Sequence, residues 1–414
     1  MLETLFAQPA VLARHRAGPL ASDREKFLSH CAAQGHRRAG LQKIAWMLLV
    51  IAQSLRIGKR QVCMADIERA ARHRARLRRR PVGSRPGHST QQPFIHMATA
   101  WLRFLGRLQL PAGRCGPLAP QIDAFAQWMR EERGLSAVTI ASRCQRIEHF
   151  LAALRPRVRS LTQLSISQVD RYLVHQGHHG WSRPSMAALT SDLRSFFRYA
   201  EAQHWCQAGI AAAIDSPRLY TREGLPLGPT WEQVQQLLAS TAGDRPADIR
   251  DRAIVMLLAF YGLRRGEVAR LRLEDLDWVG ELLRVVRPKQ RRIQHYPLIR
   301  PVGDALVRYL RDVRPTCAHR EVFLALSAPR RPLSATSVTP IVHSRLAALG
   351  VQLPRRGPHS LRHACARHLL ARGFSLKQIG DQLGHRSAST TLHYTKIDVD
   401  ALRQVAELDL GRLR

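Results

Sequence analysis

Two imidazoles, a guanidinium and a phenol fall within one short stretch, Pro358 to Tyr394. His359 and Arg362 are three residues apart, so a helix projects them from one face. Pro358 suits a first helical position and Gly373 a stop. Ser375 can cap a second short helix that ends at Gly384. His385 follows that stop directly, and Tyr394 lies nine residues further on. The set suits attack on a phosphodiester. A guanidinium grips two non-bridging phosphate oxygens as a fork and stays charged at any working pH. Imidazoles donate hydrogen bonds or move protons near neutrality. A tyrosine hydroxyl can be a covalent nucleophile. Taken singly, a histidine or arginine in a basic protein is usually a surface or capping residue, and a tyrosine a core residue. Only the combination at this spacing points to chemistry.

The stretch resembles the second catalytic box of the tyrosine recombinase, or phage integrase, family. His359-Ser360-Leu361-Arg362, Leu383-Gly384-His385 and Tyr394 match it position by position. Upstream, Tyr261-Gly262-Leu263-Arg264 with Glu267 is similar to the family's first box, with Tyr261 in place of the usual threonine. Lys289 stands 25 residues after Arg264, in a segment closed by Pro297-Leu298, where the family carries a lysine on a β-hairpin. The resemblance covers residues 225–410 and, more weakly, 118–210. It implies a catalytic set of Arg264, Lys289, His359, Arg362, His385 and Tyr394, with Glu267 in support. It also implies a mainly α fold. Helical DNA-binding domains and an α+β catalytic domain with a small antiparallel sheet would close as a C-shaped clamp around DNA. The reaction implied is strand cleavage and rejoining through a 3′-phosphotyrosyl link, with no cofactor and no metal.

Composition agrees with a polyanionic partner. The chain has 414 residues, enough for two or three domains. It carries 65 Lys+Arg against 31 Asp+Glu, a formal net charge of +34. A field of that sign favours nucleic acid first and a membrane surface second. The resemblance implies that the nucleic acid is double-stranded DNA. There is no apolar run of membrane-spanning length and no signal-peptide pattern at the start, so a cytoplasmic, nucleoid-associated protein is expected, without a membrane partner. The seven cysteines are scattered, with no C-x-x-C, which suggests neither a disulfide framework nor a zinc module. The nearest histidine clusters, His178-His179 and His30-Cys31 with His36, read better as solvated or phosphate-facing than as metal ligands.

The elements that must position these groups follow from periodicity. Residues 1–20 show no strong pattern. Helices are expected from Asp23 to a stop at Gly35, over 39–55, over 64–80 and over 94–108. Arg69, Arg72, Arg74, Arg76, Arg78, Arg79 and Arg80 make the third of these very basic, a candidate for phosphate contact. After a Pro/Gly linker at 111–117 the pattern begins again. Helices are expected from Ile122 to near Gly134, over 139–154 behind a Ser136 cap, over 168–175 after Ser167, and over 186–203. The two stretches read as a degenerate repeat, pairing Phe27 with Phe125, Gly35 with Gly134, Leu55 with Leu154, Ile67 with Val169, and 101–105 with 193–197. Domains are expected at 1–110, 118–210 and 225–414, the first a second unit like the core-binding one. In the last, Thr230 caps a helix over 231–239, and 251–261 reads as a buried helix. Glu267 opens a helix, and 282–287 with 294–299 forms a hairpin around Lys289. Val322–Leu326 is a candidate edge strand, and 399–408 is an amphipathic helix.

Two other functions fit parts of this pattern. A type IB topoisomerase-like enzyme would use the same chemistry as a monomer, but the core-binding-like segment and the Leu383-Gly384-His385 box favour a recombinase. A catalytically silent DNA-binding accessory protein would not need all six residues. A metal-dependent nuclease needs clustered carboxylates, and the sequence offers no convincing set. Integration, excision or transposition of a mobile element by a homotetramer on DNA, alone or with partner recombinases, is the expected role.

Overall fold

In the computed structural model, residues 1–55, 57, 61–77, 91–109, 116–154, 160–218, 228–287, 292–353 and 356–384 are described. Spatial proximity divides the chain into two units. One holds Met1–Ala17, Ala21–Trp46 and Arg222–Arg414; the other holds Gly18–Leu20 and Met47–Thr221.

The chain begins with α1 (Leu2–Leu5) and α2 (Pro9–Ala17), then α3 (Ala21–Ala33) and α4 (Arg38–Leu55). The first two were not expected. α2 has almost no apolar face, so periodicity could not reveal it. It is fixed instead by buried His15, whose ring stacks on Phe6 at 4.6 Å and whose carbonyl accepts a 2.5 Å hydrogen bond from buried Arg24. Next come β1 (Val62–Cys63), α5 (Met64–Leu77), α6 (Gln91–Phe104) and β2 (Leu108–Gln109). α6 lies three to four residues earlier than expected. Gly106, at φ +66°, turns the chain, and 108–109 pair with 62–63 as a parallel bridge.

α7 (Ala119–Glu131), α8 (Ala137–Ala153), α9 (Ile166–His178) and α10 (Arg183–Ala202) form a four-helix core, followed by the short α11 (Ile210–Ala213). Ser136 caps α8, as expected. Ser165 rather than Ser167 opens α9, because Gln168 completes a capping box with it. Phe125, Phe150, Phe196 and Phe197 are fully buried and meet edge to face, with Phe125–Phe196 at 5.4 Å and Phe150–Phe197 at 6.0 Å. Beside them Asp192 is buried between Arg143 at 3.1 Å and Arg146 at 2.5 Å.

The remaining elements are α12 (Trp231–Ala239), α13 (Pro246–Phe260), α14 (Arg265–Arg270), β3 (Leu276–Asp277), β4 (Leu282–Arg287) and β5 (Arg292–Pro297). They continue with α15 (Arg300–Asp312), α16 (Ala335–Ala348), α17 (Pro358–Ala371) and α18 (Leu376–Leu383). α13 starts at Pro246, earlier than expected, because proline suits the first turn of a helix. It is the hub: 253–259 are all buried, and it packs on α12, α14, α15, α16 and α17. The sheet is antiparallel in the order β3-β4-β5, with Leu282 opposite Pro297 and Arg287 opposite Arg292. Val322–Leu326 is not its third strand. Leu324 makes only an isolated bridge to Pro332, and Leu276–Asp277 takes the edge beside β4. The mainly helical fold with a small antiparallel sheet stands as expected. Among the described residues no helix is long and apolar enough to cross a membrane.

Burial separates the cysteines. Cys365 lies in the core of α17, its thiol 3.6 Å from the Phe260 carbonyl, and burial pushes it up to about 12. Cys317 is exposed. Since the thiolate is the reactive form, iodoacetamide at about pH 8 should label Cys317 in the native protein and spare Cys365 until unfolding. Peptide mass spectrometry reads this directly; labelling of both at similar rates would contradict the packing described.

Candidate active site

The site is built on the carbonyl end of α18. Ser375 caps this helix and forms a capping box with Gln378, while Gly384, at φ +61°, ends it. A helix C-terminus leaves its last carbonyls without partners inside the helix and carries partial negative charge. Three arginines from three separate elements fill that need.

Arg264 precedes α14, where Gly262, at φ +60°, lets the chain leave α13 sharply. A Cβ at Gly262 would lie 2.3 Å from Leu383 Cδ2, so no side chain fits there. Arg264 Nη2 donates to the Gly384 carbonyl at 2.9 Å. Its Nη1 reaches Glu267 Oε1 at 2.7 Å, and its backbone N–H reaches Glu267 Oε2 at 2.8 Å. Arg362, on α17, is 2 % exposed. It donates to the Gly262 carbonyl at 2.6 Å and to the Leu383 carbonyl at 2.5 Å. It therefore ties the two sequence boxes together.

The third arginine is Arg287, at the end of β4, and its role did not emerge from the sequence. It is completely buried. Nη1 donates to the Leu383 carbonyl at 2.7 Å and lies 3.4 Å from Glu267 Oε1. Nη2 donates to the Tyr296 hydroxyl and, at 3.3 Å, to the Gln382 carbonyl. Burial raises the Tyr296 phenol above its ordinary value, with the Arg287 charge opposing the shift. Tyr296 in turn donates to the Gln382 carbonyl at 2.5 Å. The available signal was weak: alternation along 282–287 puts Leu283, Val285 and Arg287 on one face, which is the buried one.

Tyr261, at the family's threonine position, is also structural. Its hydroxyl donates to the Pro297 carbonyl at 2.8 Å and accepts from the Ile299 N–H at 3.1 Å, pinning the end of β5 to the end of α13. Burial raises this phenol as well. Among the expected site residues, Arg264, Glu267 and Arg362 are thus brought together. His359 sits exposed on the first turn of α17, its ring 4.3 Å from that of His363. Lys289, His385 and Tyr394 lie outside the described residues, as does the segment 399–408. Of the seven expected DNA-contacting arginines, Arg69, Arg72, Arg74 and Arg76 lie on α5, away from this cluster in the chain. Arg78, Arg79 and Arg80 lie outside the described residues.

Residues 230–400 match the model of the phage integrase family, and residues 122–204 match that of the phage integrase N-terminal SAM-like domain. The chain is 36% identical over 290 residues to a putative integrase/recombinase, y4rA, of Sinorhizobium fredii, covering 69% of each chain. It is 32% identical over 295 residues to tyrosine recombinase XerC of Mycobacterium bovis, covering 69% of this chain and 97% of that one. The chain belongs to the phage integrase family of tyrosine recombinases. Its fold is similar to that of a lambda integrase dimer bound to a COC′ core site, at a TM-score of 0.53 and 20% identity, over 66% of this chain and 94% of the other. As a tyrosine recombinase the chain is a site-specific DNA recombination enzyme. The SAM-like match spans α7 to α10, and the integrase match spans α12 to α18.

Among the described residues Glu267 is the carboxylate bonded to Arg264 and Arg287, and Arg287 is wholly buried beside it. Removing one partner of a buried pair leaves an uncompensated charge and costs roughly 3–5 kcal/mol. Glu267→Ala should therefore lower stability by about that amount in urea unfolding of the whole chain. A loss under about 1 kcal/mol would mean that the backbone carbonyls alone hold Arg287.

Proposed function

We propose that this protein exchanges DNA strands at a specific duplex site, with Tyr394 as nucleophile. The observation that carries this reading is the convergence of Arg264 and Arg362 on the α18 terminus, with Arg287 behind them and Glu267 bonded to Arg264 and Arg287. Arg264, partly exposed, can turn a donor toward a non-bridging oxygen of a scissile phosphate, and buried Arg362 adds its charge beside it. They offset the charge that builds on the pentacoordinate transition state. Tyr394 attacks phosphorus, forming a 3′-phosphotyrosyl link and releasing a 5′-hydroxyl. Lys289 gives the leaving 5′-oxygen its proton, as the family assigns. His359 takes the tyrosine proton, and His385 donates to a phosphate oxygen. The covalent link conserves the phosphodiester energy, so a partner strand's 5′-hydroxyl can reverse the step without a nucleotide cofactor.

Each chain supplies one Tyr394. Exchange of both strands between two duplexes needs four cleavages, so four copies act together, on the nucleoid. The names of the relatives, an integrase/recombinase and a tyrosine recombinase, favour integration, excision or transposition of a mobile element over relaxation by a lone topoisomerase. The charge of +34 suits duplex DNA as substrate.

Incubation with nicked suicide duplexes bearing the recombination site should give an SDS-stable protein–DNA adduct. Tyr394→Phe should give none. Arg362→Ala should slow adduct formation by about 10²–10³-fold. An adduct that persists in Tyr394→Phe would overturn the assignment of the nucleophile. Absence of any adduct despite tight binding would favour the silent accessory protein.

A further inference from the structure

The helices before the SAM-like match repeat its burial register. Residues 21–104 and 119–202 are spans of equal length, each with four helices in the same order. α3 buries Arg24, Phe27, Leu28 and Cys31, and α7 buries Ile122, Phe125, Ala126 and Met129, at identical spacing. Gly35 follows the first at φ +88°, and Gly134 follows the second at φ +57°. α4 buries Leu41, Ala45, Leu48, Ile51 and Ala52 where α8 buries Ile140, Cys144, Ile147, Phe150 and Leu151. α6 buries Phe94, Ala98, Trp101 and Leu102 where α10 buries Leu189, Leu193, Phe196 and Phe197. This last pairing corrects the sequence alignment, which had set 101–105 against 193–197.

A coordinated replacement supports the same register. Arg143 and Arg146, both partly exposed, and the buried Asp192 that they hold between α8 and α10 correspond to Ile44, Met47 and Met97. All three charged positions are apolar in the earlier span, so the ionic group is replaced as a whole.

The two spans differ in charge. Residues 21–104 hold 17 Lys+Arg against 4 Asp+Glu, whereas 119–202 hold 11 against 7. Of the nine charges by which the two spans differ (+13 against +4), α5 supplies two and Arg78, Arg79, Arg80 and Arg85, outside the described residues, supply four. With Ile67 in register with Val169, the exposed Arg72 and Arg76 stand where α9 has exposed Val174 and His178. Arg69 and Arg72 pair with Asp66 at 3.2 Å and Glu68 at 3.6 Å, but these pairs are solvent-exposed and weak.

We propose that residues 21–109 repeat the helix order and burial register of the SAM-like match, and that the Arg69–Arg72–Arg76 face of α5 binds phosphates of duplex DNA, adding a contact beyond those of residues 119–202. The ligand class rests on the DNA substrate proposed above. The test uses the full chain and a plain duplex, with affinity measured across salt concentrations. Each phosphate contact contributes about 0.9 to the log–log slope. Joint substitution of Arg69→Gln, Arg72→Gln and Arg76→Gln should lower the slope by about 2.7, three such contacts. The corresponding three lysine substitutions should leave it in place, since charge and not fork geometry sets it. If the glutamine triple fails to fold, Arg72→Gln alone should lower the slope by about 0.9. An unchanged slope overturns the inference, whatever the adduct assay shows. A lowered slope with no Tyr394 adduct sustains the inference and removes the recombinase reading instead.

Discussion

The active-site half of the chain depends on how one helix ends. The last carbonyls of α18 have no intrahelical partners, and arginines from the first box, the hairpin and α17 donate to the carbonyls of Gln382, Leu383 and Gly384. Neutral carbonyl acceptors position a guanidinium without cancelling its charge, whereas carboxylates would cancel it. Among the described residues Glu267 is the carboxylate hydrogen-bonded into the cluster, where it serves Arg264 and Arg287. Positive field is therefore retained at this terminus. On the function proposed above, that is electrostatic preorganisation, set by folding before DNA binds.

The glycines around this terminus follow from the same demand. Arg287 presses so closely on Gly384 that a Cβ there would lie 2.5 Å from its Cζ. Gly262 faces Leu383 in the same way, and Gly228 would place a Cβ 2.6 Å from the Ser360 carbonyl on α17. Gly262 and Gly384 also take positive φ, so the sequence signal Gly-Leu-Arg and the signal Leu-Gly-His mark two sides of one contact.

Local rules were legible in the sequence where local chemistry decides. The Thr230, Ser136 and Ser375 caps, the α18 stop at Gly384 and the span of β4 all emerge as expected. The six-residue motif told which family chemistry to expect, and Arg264, Glu267 and Arg362 do meet. Long-range placement was not legible. α2 is held by a buried histidine and a buried arginine that periodicity counts as polar. The third strand is only two residues long, and its register is set by pairing with β4 rather than by any pattern of its own. Arg287 looked like one more arginine in a basic hairpin, because nothing within 282–297 announces a partner almost a hundred residues away.

The hub position of α13 bears on how this domain comes into being on the ribosome. α13 is buried by partners that follow it in the chain, including α15 and α17 as well as nearby α14. The cover of its apolar segment 253–259 is therefore complete only once α17 has been synthesised. The guanidinium cluster waits longer still, since its anchor is the end of α18. A nascent chain thus has no assembled arginine cluster until most of the protein exists, and during translation part of α13 stays open to solvent for that long.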